Sequence, residues 1–129
     1  MKNVVILEDA IYRIEGFEKM FSGHNYVITG RAKSAINLLM SGAKKDMLFL
    51  DHDLDGKIHV PSGPGTGWEV CKFLAENQHF MPKRVILHSH NEKGVAEMKK
   101  VLPNAEIKSY GYFTFDGEKI LDLEEKMII

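Results

Sequence analysis

Four short apolar runs constrain the fold most: Val4-Val5-Ile6-Leu7, Tyr26-Val27-Ile28-Thr29, Met47-Leu48-Phe49-Leu50 and Arg84-Val85-Ile86-Leu87. Runs this short and this apolar read as strands, and those without polar alternation as strands covered on both faces. Between them the apolar residues change period. Ile11, Ile14, Phe17, Met20 and Phe21 recur at helical spacing within Ala10 to Phe21, with Asp9 placed to cap the segment. Ala32, Ala35, Ile36, Leu38 and Leu39 mark a second helix that stops near Gly42, and Trp68, Val70, Cys71, Phe73 and Leu74 a third. Val95, Met98, Val101 and Leu102 mark a fourth, ended by Pro103, after which Ala105-Glu106-Ile107 is a weaker fifth strand. Residues 112–129 read either as a last helix or as a hairpin turning on Asp116-Gly117. Strands alternating with helices imply a three-layer, doubly wound α/β fold, with a parallel five-stranded sheet in the flavodoxin-like order 2-1-3-4-5.

Length and charge narrow the class. The 129 residues suit one domain spanning 1–129. Seventeen Lys and Arg against 18 Asp and Glu give a net charge of −1, which supplies no field for duplex DNA or an anionic membrane. A single cysteine, Cys71, excludes an internal disulfide framework, and its place on an apolar helical face points to a core role. The apolar run after Met1 is too short for a signal sequence and no 18-residue apolar stretch occurs, so a cytoplasmic protein without a membrane span is expected.

In doubly wound sheets ligands bind outside the carboxyl ends of the strands. There the first strand delivers Glu8 and Asp9, the third Asp51, His52 and Asp53, and the fourth His88, Ser89, His90 and Asn91. Carboxylates gathered from two strands repel, and a divalent cation with oxygen ligands relieves them, which favours Mg²⁺ or Mn²⁺ on Glu8, Asp9 and Asp51. Imidazoles near their reference pKa of about 6.5 can exchange protons at neutral pH, so His52 and His88 are the acid–base candidates, with Asp53 orienting a ring. His24, His59 and His79 lie outside this cluster and read as solvated. Asp51-His52-Asp53-Leu54-Asp55-Gly56 imitates the start of an EF-hand loop, but Ser62 stands where a bidentate Glu is needed. Gly63-Pro64-Gly65-Thr66-Gly67 imitates a phosphate loop, yet Trp68 follows where Lys should.

The acid pair after the first strand, Asp51 after the third and a small hydroxyl residue after the fourth resemble the receiver domain of two-component signalling, with Asp51 as phosphoacceptor. The fuller resemblance is to the cyclic-phosphate processing receiver-like domains of bacteria and phages. It rests on Leu7-Glu8-Asp9 with Arg13, Leu50-Asp51-His52-Asp53-Leu54, Thr66-Gly67, and His88-Ser89-x-Asn91 followed by Gly94. That resemblance implies a metal-dependent phosphoesterase acting on cyclic phosphates of nucleotides or RNA ends. Asp51, His52, Asp53 and His88 would do the chemistry, Ser89, Asn91, Arg13 and Thr66 would contact the substrate, and Glu8, Asp9 and Asp51 would hold the metal. The alternatives are a receiver phosphorylated on Asp51 and a non-catalytic nucleotide-binding module.

Overall fold

β1 (Asn3–Leu7) lies inside the sheet, with β2 (Asn25–Thr29) on one side and β3 (Met47–Leu50) on the other. In the computed structural model, which describes residues 2–54 and 60–110, β4 (Arg84–Leu87) and β5 (Glu106–Ile107) complete a parallel sheet in the order β2-β1-β3-β4-β5. The order expected from the alternation of strand and helix is therefore found. The segment 112–129 and His59 lie outside the described residues.

Because successive side chains of a strand point to opposite faces, the three inner strands divide their apolar residues into two cores. Val5, Leu7, Leu48, Leu50, Val85 and Leu87 pack beneath α2 (Ala32–Met40), α3 (Gly67–Glu76) and α4 (Glu92–Val101). Val4, Ile6, Met47, Phe49 and Ile86 pack on the other face against Phe17 of α1 (Ile11–Met20) and Phe21 just beyond it. Phe17 and Phe21 are fully buried, each contributing about 1.5–3 kcal/mol of transfer free energy. Cys71 is buried in the first core, where desolvation pushes its thiol up to about 12 and leaves it unreactive.

Three details depart from the sequence reading. The cap position of α1 is Ala10 rather than Asp9, and the nearby amides of Asp9 and Ala10 donate to Glu8 Oε2 at 3.0 and 3.1 Å. Ile11, expected in the buried stripe, is 74% exposed at the first turn. His24 is not simply solvated: its Nδ1 accepts from the Lys2 amide at 2.9 Å, which ties the start of β1 to the loop before β2. Among the described residues no helix is long and apolar enough to cross a membrane.

Candidate functional site

The register of the sheet builds the site. Leu7 is paired with Leu50 and Leu50 with Leu87, and the ladder continues one step further through Asp51 N–H to Leu7 O and His88 N–H to Leu50 O. The next residue of each strand, Glu8, Asp51 and His88, therefore stands in one row across the sheet. Strand alternation sends all three side chains to the α1 face. All three are buried, and a potential ligand atom from each lies within 4.8 Å of the others.

Electrostatics in this row are tightly constrained. Burial opposes the charge on Glu8, but hydrogen bonds from His88 and the Ala10 amide and the positive charge of Arg13 outweigh it and hold the carboxyl at about 2. Since Glu8 is ionised, His88 Nε2–H donates to its Oε1 at 2.9 Å. Burial lowers the His88 imidazole below its usual value, so the ring is neutral, packed edge-on to Phe17 with centroids 5.3 Å apart. Asp51 moves the other way. Burial and the neighbouring Glu8 carboxylate raise it to about 7, against the opposing pull of Arg13 and the Ser89 hydroxyl. Arg13 reaches in from α1, its Nη1 3.3 Å from Glu8 Oε1 and 3.6 Å from Asp51 Oδ2, while its Nε–H donates to the Tyr12 hydroxyl at 3.0 Å.

His52 belongs to a second group. One step beyond Asp51, alternation turns it to the opposite face, where it is fully buried against α4. A Cβ added to Gly94 would lie 2.5 Å from His52 Cγ, so glycine there is what admits the ring. His52 Nδ1 and Asp53 Oδ1 are 2.8 Å apart, and His52 Nε2 and Ser62 Oγ also 2.8 Å. Asn91 caps α4 by accepting from Gly94 N–H at 2.9 Å, and its Nδ2 donates to Asp53 Oδ1 at 3.0 Å and to Val60 O at 3.1 Å.

The expected pairing of His52 with His88 on one phosphate is therefore not what the sheet delivers, because the two imidazoles point to opposite faces. His88 is also fully enclosed with Nε2 turned to Glu8, an orientation that suits a ligand better than a proton shuttle. Asp9 falls outside the row of three and is partly exposed, with its Cβ toward Gly30. The Thr66 hydroxyl donates to Gly63 O at 2.7 Å within the turn before α3, so it shapes the loop. Gly67 next to it has no room for a side chain: an added Cβ would lie 2.0 Å from the Asp51 carbonyl oxygen. Ser62, which no sequence period marks, is the residue that sequence reasoning missed.

Comparison with known proteins agrees with this geometry. No curated protein sequence matches the chain. Among solved structures, the phosphorylated cyanobacterial phytochrome response regulator RcpA is 17% identical with a TM-score of 0.71, the match covering 92% of this chain and 90% of that one. The Mn(2+)-bound form of response regulator Rcp1 is 18% identical with a TM-score of 0.64, covering 84% and 81%. The receiver domain of RcsB from Escherichia coli is 20% identical with a TM-score of 0.68, covering 97% and 93%. These similarities establish the receiver fold. A model of the cyclic-phosphate processing receiver domain matches residues 4–104, which include the Glu8–Asp51–His88 row and the His52 group alike. The chain belongs to the cyclic-phosphate processing receiver domain family.

Proposed function

We propose that the domain is a divalent-metal-dependent phosphoesterase that opens cyclic phosphates of nucleotides or RNA ends at the Glu8–Asp51–His88 row. The supporting observation is the burial of two carboxylates beside each other, with Asp51 raised to about 7 by that burial and by the neighbouring Glu8 charge. A divalent cation fits this donor set of two carboxylate oxygens and one neutral imidazole nitrogen, and the nitrogen favours Mn²⁺ over Mg²⁺. Glu8, Asp51 and His88 would hold it, with Asp9 available in sequence as a further carboxylate. When bound, such a cation polarises a phosphoryl oxygen and lowers the pKa of its water. The Mn(2+)-bound Rcp1 shows that this fold accommodates the ion in a relative.

The chain's own groups supply the rest. Arg13 carries a fixed positive charge toward the row and would pair with a phosphoryl oxygen. The Ser89 hydroxyl, hydrogen-bonded with Asp51, can donate to a second. His88 keeps Glu8 oriented through Nε2–H, and this nitrogen would become a ligand once its proton moves to the other ring nitrogen.

Turnover of 2′,3′-cyclic nucleotides with Mn²⁺ or Mg²⁺ should be measurable, and it should fall to background in Glu8→Gln and His88→Asn. No turnover with either ion, or unchanged rates in both variants, would refute the assignment. A second reading, favoured by the hydroxyl of Ser89 on Asp51, is acceptance of a phosphoryl group by Asp51. One base-labile phosphoryl adduct from acetyl phosphate on Asp51, without cyclic-nucleotide turnover, would replace the first reading with this one.

A further inference from the structure

We propose that Ser62, His52 and Asp53 form a second reactive centre, in which Ser62 is a nucleophile toward phosphoryl electrophiles. The required hydrogen-bond order is present. Asp53 Oδ1 stands 2.8 Å from His52 Nδ1, and His52 Nε2 stands 2.8 Å from Ser62 Oγ. With Asp53 accepting from Nδ1–H, Nε2 is left as the acceptor of the serine proton, the tautomer a general base needs.

The support around the relay fixes this polarity. Asn91 Oδ1 accepts from the Gly94 amide, so its Nδ2 must be the group facing Asp53 Oδ1 and Val60 O. Both Nδ2 hydrogens are thereby used, and the 3.3 Å approach of Asn91 Nδ2 to His52 Nδ1 is a contact between two donors. The Val60 amide adds a weaker donor to Asp53 Oδ1 at 3.4 Å. The imidazole is fully buried, while Ser62 at its far end is partly exposed.

Ser62 opens onto a cleft of about 200 Å³ between the loop 60–62 and the N-terminal end of α4, lined also by Asn91, Lys93, Gly94 and Glu97. Lys93 lines this cleft and would pair with charge developing on a phosphoryl oxygen, and Glu97 lines it one turn further on. In the step proposed, a bond forms between Ser62 Oγ and phosphorus as the bond from phosphorus to the leaving oxygen breaks. The serine proton passes to His52 Nε2 and from there to that leaving oxygen. This centre lies across the sheet from Glu8, Asp51 and His88 and needs no metal.

A fluorophosphonate probe tests the relay, since attack by Ser62 displaces fluoride and leaves a stable phosphonyl ester. The intact protein should gain one phosphonyl group on the peptide containing Ser62, and Ser62→Ala should gain none there. Asp53→Asn, with circular dichroism confirming its fold, should label at least ~100-fold more slowly. His88→Asn should label at the wild-type rate, which separates this centre from the metal-dependent one. Absence of an adduct on Ser62, or equal labelling rates in the wild type and Asp53→Asn, would overturn the proposal.

Discussion

Replacing Gly67 with Ala is expected to destabilise the protein by about 3 kcal/mol or more, at or beyond the upper end for overpacking a closed core. The added methyl would sit 2.0 Å from the Asp51 carbonyl oxygen, 2.9 Å from its carbonyl carbon and 3.2 Å from Met98 Sδ. Two of those atoms are backbone and cannot swing aside. Relief requires the first turn of α3 to withdraw from the end of β3, which stretches the 3.1 Å bond from Gly67 N–H to His52 O. Because the same backbone carries the Asp51 side chain, stability and metal-dependent turnover should fall together. Urea denaturation of the variant checks the first, and a midpoint equal to the wild type's would contradict the close approach of α3 to β3.

Asp51→Asn should have the opposite sign. Asp51 is raised from 3.8 to about 7, so between those limits the folded state holds a proton that the unfolded state has released. Its stabilising contribution is complete below about pH 4 and is lost as pH rises toward 7. Glu8, lowered from 4.5 to about 2, behaves in reverse, contributing above pH 4.5 and failing as pH falls toward 2. An amide at position 51 carries no charge at any of these pH values and can still donate to Glu8. In metal-free buffer at pH 8 the variant should be more stable by about 4 kcal/mol, the free energy equivalent of a rise from 3.8 to about 7. Thermal melts should show its Tm higher by several degrees at pH 8 and similar to the wild type's at pH 4. A wild type whose Tm is the higher of the two at pH 8 would show that the carboxylates are not crowded as described.

Much of the fold was legible because the relevant signals are local. Val4-Val5-Ile6-Leu7, Met47-Leu48-Phe49-Leu50 and Arg84-Val85-Ile86-Leu87 are each too apolar for a surface position, and each runs into a polar residue at the sheet's carboxyl edge. The row Glu8, Asp51 and His88 was within reach of the sequence as well. Each of the three directly follows the leucine that closes its strand, so equal registers make them neighbours. The same alternation puts His52 on the other face, although a cluster counted only by nearness to strand ends merges it with His88. The sequence suggests a cap at Asp9 whereas the backbone places it at Ala10, since cap position depends on where helical dihedrals begin. The loop after β3 was the least legible part. Nothing in the spacing between His52 and Ser62 announces that the chain folds back to set a hydroxyl on that imidazole.

The central expectation is that Glu8, Asp51 and His88 together hold a single divalent cation. Calorimetric titration with Mn²⁺ at pH 6.5, repeated in buffers of different ionisation enthalpy, measures both the binding and the protons it releases. The wild type should bind one ion and release a proton, because Asp51 is largely protonated below its value of about 7 and must ionise to become a ligand. Asp51→Asn should bind at least ~10-fold more weakly and release none from that position. Equal affinity and equal proton release in the two proteins would mean that the ion binds elsewhere.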